Sequence, residues 1–262
     1  MLRLAVEAAL EAGKYLKENV GKISHIEHKG GHETNLVTEI DKKAEETIIG
    51  KIKKHFPDHD FLGEESGAAE VKSEYRWIID PLDGTINYTH GLPIYSVSIG
   101  LEHEGKIVLG VVYDPSLDEL FTAEKGKGAW LNNKRIQVTK TKKLIESLVV
   151  TGFPYWINKK PEPELTHFRN FIVEAQAVRR LGSAALDLSY VACGRFDGFW
   201  EGTLNPWDMA AGVLLVTEAG GTWTDYSGSP SNVYNPQVLT TNGLIYEQMI
   251  AVLKKGTGSR EL

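Results

Sequence analysis

The stretch WIIDPLDGT, Trp77 to Thr85, ends an apolar run with two aspartates, Asp80 and Asp83, only three residues apart. Other acids stand at comparable breaks in apolar segments: Glu64 and Glu65 in FLGEESG, Glu201 in FDGFWEG and Asp208 in NPWDMAAG. Two carboxylates about 5 Å apart repel by several kcal/mol at an effective dielectric of about 20, and burial adds to that. Protonation, a basic neighbour or divalent cations can relieve the repulsion. Arg76 alone cannot balance four or five acids, whereas hard oxygen ligands suit Mg²⁺, with Mn²⁺ as a substitute. No CxxC or HExxH pattern points to zinc.

The neighbouring residues suit a phosphate ester beside such ions. Pro81 restricts the turn and leaves the Leu82 carbonyl available to a cation. Gly84 permits close approach, and the amides of Gly84 and Thr85 can face an anion. Gly182-Ser183-Ala184 opens a helix whose positive end can do the same. Each feature also has an ordinary explanation. Asp83-Gly84 is a turn signal, Asp208 suits a helix start, Glu64-Glu65 suits a solvated pair, and Asp41 fits either a helix cap or a catalytic partner.

The elements that must carry these residues follow from periodicity. Val6, Leu10, Gly13 and Leu16 share one face of a helix over residues 2–20. Thr38 caps a second helix, with Asp41 three residues on and Ile40, Ala44, Ile48, Ile52 and Phe56 as its apolar stripe, ending before Pro57. YSVSIGL, KIVLGVVYD, ELFTA and AWLNNKRIQV then read as an antiparallel meander. Beyond residue 145 strands and helices alternate, and Asn205-Pro206 opens the helix that carries Asp208 in its first turn. The expectation is an α+β chain with an N-terminal half over 1–145 and a C-terminal α/β half over 146–262, packed as one unit with sheets between helix layers.

Composition narrows the classes. A net charge of −6 with dispersed basic residues disfavours nucleic acid as a partner. The single cysteine, Cys193, allows no internal disulfide and points to a reducing, cytoplasmic compartment; it reads as a packing residue. The first helix carries Glu7, Glu11 and Lys14, unlike a signal core, and no segment suits a membrane span. His25, His28 and His32 fall in a Gly- and Lys-rich loop and read as solvated.

Four blocks, NLVTEID (35–41), GEES (63–66), WIIDPLDGTINYTHGLP (77–93) and GSAALDLSYVACGRFDGFWEGTLNPWDMAAG (182–212), resemble the inositol monophosphatase family in its bacterial type, at matching spacing over nearly the whole chain. The resemblance implies a layered αβαβα sandwich, a homodimer, and a lithium-sensitive phosphomonoesterase that uses two or three Mg²⁺. Glu64, Asp80 and the Leu82 carbonyl resemble the ligands of one ion. Asp80, Asp83 and Asp208 resemble those of a second, and Glu65 lies with Glu64 where a weaker third is held. Thr85 and Asp41 resemble the pair that orients the attacking water, so Glu64, Thr85 and Asp41 are the implied catalytic residues. Gly84 and Thr85 would hold the phosphate, and Gly182, Ser183, Ala184 and Glu201 the polyol or sugar. Asn205 stands where animal members carry histidine, and Lys29 to Asp41 is about two residues longer than in common bacterial versions.

The resulting expectation is hydrolysis of inositol monophosphate to inositol and phosphate. Fructose-1,6-bisphosphatase, alone or as a dual activity, is the alternative, and a non-catalytic binding or regulatory protein on the same fold is the alternative of another class. A nucleotide 3′-phosphatase is a more distant possibility. Arg169, Arg179 and Arg180 could receive a second phosphate, although an exposed helix face or an ion pair is the expected role.

Overall fold

The computed structural model describes residues 1–22, 26–28, 36–68 and 72–255. Helix α1 (Leu2–Asn19) is followed by the short paired strands β1 (Ile26–His28) and β2 (Leu36–Thr38), and by α2 (Glu39–Lys53). Next come β3 (Asp60–Gly63), β4 (Gly67–Ala68), β5 (Tyr75–Asp83), the one-turn α3 (Thr85–Thr89), β6 (Ser96–His103), β7 (Lys106–Asp114), β8 (Glu119–Glu124), β9 (Gly128–Leu131) and β10 (Lys134–Arg135). The remainder is β11 (Leu148–Thr151), α4 (Glu164–Glu174), β12 (Ala177–Arg179), α5 (Ala184–Ala192), β13 (Gly198–Glu201), α6 (Pro206–Glu218), β14 (Thr222–Thr224), β15 (Val238–Thr241) and α7 (Tyr246–Leu253). No helix among the described residues is long and apolar enough to cross a membrane.

The larger sheet runs β10-β9-β8-β7-β6-β5-β3-β4 and is antiparallel except where β3 meets β5. The smaller runs β12-β11-β13-β15-β14, parallel around β11 and antiparallel around β15. Three apolar clusters define five layers. α1 and α2 pack on one face of the larger sheet through Trp77, Ile79, Val97 and Ile99. α5 and α6 lie between the two sheets, touching Ile78, Val112 and Phe121 on one side and Val150 and Phe199 on the other. α4 and α7 cover the outer face of the smaller sheet around Phe171, Trp200 and Met249. The architecture is the α+β layered sandwich.

α1 buries Ala5, Ala8, Ala9, Ala12, Gly13 and Leu16, while Leu10 is exposed and Val6 only half-buried. Of the expected stripe, Gly13 and Leu16 are buried and Val6 packs at the edge of the core, while Leu10 faces out and the alanines form the centre of the packed face. The helix sits too close to the sheet for large side chains, and a Cβ on Gly13 would run into the ring of Tyr113. α6 uses the same device on the opposite face. Gly100 and Gly110 pair across β6 and β7, and a Cβ on either would lie 2.8 Å from Ala210 Cβ or 2.7 Å from the Ala211 carbonyl. This notch lets the backbone of α6 lie directly on the sheet.

Alternation along β5 sends Trp77 and Ile79 to one layer and Ile78 to the other. Strict alternation would put Asp80 and Asp83 on opposite faces. The pairing with β6 shifts register between Asp80 and Asp83, across Pro81, and the irregularity returns Asp83 to the α5 side. The strand thus continues through the bulge to Asp83.

Candidate active site

A cavity of about 390 Å³ opens where β5, α3, α5, β13 and α6 converge. Glu64, Asp80, Leu82, Asp83, Gly84, Thr85 and Asp208 line one end of it. Gly182, Asp187, Glu201, Thr203 and Arg180 line the other, Ser183 and Ala184 lie between the two, and the Gly152–Trp156 segment also borders the cavity, its Tyr155 close to the acids of the first end.

Each acid at the first end is held by local chemistry. Asp80 Oδ1 accepts from the amide of Leu82 at 3.0 Å, so the turn after the aspartate fixes its carboxylate. Asp83 receives the hydroxyl of Ser183 at 2.5 Å and the amides of Ala185 and Ala184 at 2.8 and 3.2 Å, with Ser96 Oγ at 3.4 Å. The positive N-terminus of α5 therefore faces Asp83. Asp208 sits at the third position of α6, and its Oδ2 accepts from the Asn205 amide at 2.7 Å. Ser98, opposite Asp80 in the ladder, bonds the Trp207 carbonyl at 3.3 Å and ties the first turn of α6 to the sheet.

Glu64 and Glu65 occupy the turn after β3, whose amides at Glu65 and Ser66 donate to the buried carboxylate of Glu45 at 3.0 and 2.8 Å. A side chain at Gly63 would collide with that carboxylate. Glu45 reads in the sequence as one more polar residue of α2, and only the glycine before Glu64 hints that something lies close. Glu65 is half-buried and does not line the cavity.

Asp41 serves as cap and site residue at once. Its Oδ2 accepts the amide and hydroxyl of Thr38 at 2.8 and 2.5 Å, and its Oδ1 accepts from Thr85 Oγ1 at 3.1 Å. It does not line the cavity itself but acts on it through Thr85. Thr85 Oγ1 also lies 3.1 Å from the Leu82 carbonyl. Gly84 has φ +96° and caps α3; a Cβ there would lie 2.9 Å from the Ile94 carbonyl, so the position admits only glycine. Asn87 joins the halves of the site by donating to the carbonyls of Ile94 and Leu181 at 2.8 and 2.9 Å.

Burial raises acids at both ends, and the ends act on each other: Asp83 raises Glu201 and Asp187, and Glu201 raises Asp208. Burial, then Glu64, Asp83 and Asp208, push the Asp80 carboxyl far above the usual range. Burial and Glu64 do the same to Asp208. Asp83 is also raised by burial, but its hydrogen bonds oppose the shift, led by Ser183. Asp41 is raised by burial against its bonds to Thr38 and Thr85. At the other end Glu201 is pushed up to about 8 by burial, against the attraction of Arg180. Asp187 goes well above the usual range through burial and then Glu201.

Asp187 and Arg180 emerge from the structure as cavity residues. Asp187 is an acid inside the apolar run AALDLSYVA, which was a legible signal. Arg180 reaches the cavity beside Gly182, where a Cβ would strike the guanidinium. Arg179 and Arg169 are exposed, as a surface role requires. Cys193 is half-buried against the central layer. Lys29, His25 and His32 lie outside the described residues, as does the side chain of His28. Far along β5 and β6, Glu74, His103 and Glu104 each bring one ligand atom within 4.8 Å of the others, but the two glutamates are exposed and the group is separate from the cavity.

Residues 1–257 match the model of the inositol monophosphatase family. The chain is 42% identical to an inositol-1-monophosphatase of Mesorhizobium japonicum over 99% of its own length and 98% of the relative's. It is 46% identical to an inositol-1-monophosphatase of Synechocystis over 96% and 88%. The crystal structure of the extragenic suppressor protein suhB from Bartonella henselae superposes with a TM-score of 0.90 at 42% identity, covering 97% of this chain and 98% of that one.

Proposed function

From the premise that this chain belongs to the inositol monophosphatase family and is a phosphatase, we propose that it hydrolyses inositol monophosphate, or a closely similar polyol phosphate, with the help of divalent metal ions. The observation that carries the reading is the meeting of Glu64, Asp80, Asp83 and Asp208 in one cavity beside the Thr85–Asp41 pair.

The residues fit a hard cation. Three aspartates hold their protons above the usual range because they are buried, Glu64 adding to the shift at Asp80 and Asp208; a dication reverses that balance. All the donors are oxygens, as Mg²⁺ prefers. Glu64, Asp80 and the Leu82 carbonyl would hold one ion, and Asp80, Asp83 and Asp208 another. Glu65 would contribute to a third, weaker one. Bound there, Mg²⁺ would lower the pKa of a water ligand and neutralise charge on the phosphate and the departing oxygen.

The chain's own residues supply orientation. The hydroxyl proton of Thr85 is directed at Asp41 Oδ1 or the Leu82 carbonyl, so a lone pair of Oγ1 remains for the hydrogen of an attacking water. Asp41, held by Thr38, keeps that hydroxyl from turning. The turn at Gly84, φ +96°, would present the Gly84 and Thr85 amides to the phosphate, and the Gly182–Ala184 segment, which also holds Asp83, and Glu201 would border the leaving alcohol. Lithium inhibition, by occupation of a Mg²⁺ site, a homodimer and a cytoplasmic location belong to the same reading.

A second reading, fructose 1,6-bisphosphate as substrate, rests on Arg180 lining the far end of the cavity, where it could meet another phosphate. Phosphate release from inositol phosphates, fructose 1,6-bisphosphate and adenosine 3′,5′-bisphosphate, with and without Mg²⁺, tests both. The first reading expects Mg²⁺-dependent turnover highest on the inositol esters. Turnover of the bisphosphates alone, or of none of the esters, would remove it. Light scattering in solution tests the homodimer.

A further inference from the structure

Among the described residues, four that bear hydroxyls line the cavity: Thr85, Tyr155, Ser183 and Thr203. Three of these are committed elsewhere. The Thr85 proton goes to Asp41 or to the Leu82 carbonyl, Ser183 Oγ donates to Asp83 Oδ2 at 2.5 Å, and Thr203 Oγ1 is closed off from solvent. Tyr155 differs from them. It is 40% exposed, and the charges that act on its phenol are those of Glu64, Asp208, Asp83 and Asp80, the four acids proposed to hold the ions. The side chain therefore borders the acid end of the cavity, whereas Arg180 serves the other end.

The loop that carries Tyr155 is fixed on both sides of it. Before it, Thr151 Oγ1 donates to the Trp200 carbonyl at 2.6 Å, the Glu201 carboxylate packs where Gly152 lacks a Cβ, and Phe153 meets Phe168 of α4 edge-on with ring centroids 5.4 Å apart. After it, the amides of Ile157 and Lys159 close turns onto the carbonyls of Pro154 and Trp156 at 3.0 and 2.8 Å.

We infer that Tyr155 is a catalytic residue whose phenol donates a hydrogen bond to a non-bridging oxygen of the phosphoryl group. The inference rests on the proposed phosphatase reading and deepens it. The non-bridging oxygens of a phosphate dianion are all acceptors, so the group needs donors wherever no ion reaches it. Ionised carboxylates supply none. Charge is spread over those oxygens as the phosphoryl group is transferred, so a donor already in place gains strength in the transition state. The rigid ring presents its hydroxyl at low conformational cost. No proton changes hands in this role.

Tyr155→Phe keeps the ring and removes the donor. Three quantities are compared with the unaltered protein: kcat for myo-inositol 1-phosphate in saturating Mg²⁺, the calorimetric Kd of inorganic phosphate in the same buffer, and the Mg²⁺ concentration giving half of the full rise in Tm without substrate. The expected kcat is about ten- to a hundredfold lower, the loss typical of one hydrogen bond to a charged group. Inorganic phosphate is expected to bind about fivefold more weakly, with the Mg²⁺ midpoint unchanged. A purely structural tyrosine would not separate phosphate from Mg²⁺ in this way. Unchanged kcat and phosphate binding overturn the inference and leave the phosphatase reading standing. A raised Mg²⁺ midpoint with unchanged phosphate binding also overturns it, because Tyr155 would then serve the ions. Hydrolysis of no phosphate ester by the unaltered protein removes the reading, and the inference with it.

Discussion

At the end of the cavity formed by β5, α5 and α6, each aspartate is anchored through at least one oxygen by backbone amides or hydroxyls. Asp83 alone receives the Ser183 hydroxyl and two amides of α5. At the other end, Glu201 and Asp187 sit beside Arg180, and two wall oxygens have no partner in the protein. Both ends bury carboxylates, but only the first directs them with its own donors. Anchoring suits groups that must hold ions and water at fixed positions, since a preorganised site has little to rearrange during reaction. The contrast separates substitutions that should abolish turnover from those that should act on substrate binding.

The largest effect is expected at the anchored end. Asp83→Asn should lower kcat by about a thousandfold or more while circular dichroism shows a folded protein, because it removes the charge that the α5 terminus was holding. Turnover within tenfold of the unaltered protein would dissolve the distinction between the ends. A smaller loss, about ten- to a hundredfold in kcat, is expected for Ser183→Ala, which keeps Asp83 but deletes its shortest hydrogen bond. At the end lined by Glu201 and Arg180, Glu201→Gln is expected to act mostly on KM for inositol phosphate, by roughly tenfold, with a lesser change in kcat. A kcat loss as large as that of Asp83→Asn would place Glu201 among the reacting groups.

The smallest effect is one of stability. Glu201 is pushed from its ordinary 4.5 up to about 8. Below pH 4.5 it is protonated in folded and unfolded chains alike. Between 4.5 and about 8 only the unfolded chain releases the proton, so stability drains away as pH rises through that window, by a few kcal/mol in order of magnitude. Asp80, Asp187 and Asp208 act in the same direction. In chelator, Tm should therefore be several degrees lower at pH 8.5 than at pH 5.5. Adding Mg²⁺ should raise Tm more at pH 8.5, where protons no longer compete for the anchored acids. A Tm that rises from pH 5.5 to 8.5 in chelator would contradict the assignment.

Much of this was legible from residue order because several site residues take part in local motifs. Thr38 and Asp41 form a capping box, and Asn205, Pro206 and Asp208 open α6 with a cap, a proline and a first-turn acid. The acids of β5 stood out because they interrupt an apolar run. What stayed hidden depends on contacts between distant segments. Glu45 supports the Glu64 turn from another element, and Ser183 meets Asp83 from 100 positions away. The apolar stripe of α1 misled in part. Gly13 and Leu16 are on the packed face and Val6 is at its edge, but Leu10 points out, because the close approach of helix and sheet favours alanines.

The glycine pair under α6 gives the core an unexpected reach. Because Gly100 and Gly110 set how deeply Ala210 and Ala211 settle on β6 and β7, they also set the height of Asp208, two and three residues earlier on the same helix. A single methyl added at Gly110, in a solvent-free layer, would lift Asp208 away from Asp80 and Asp83. Enzyme failure without any change in the cavity's own residues is the signature such a lesion would leave.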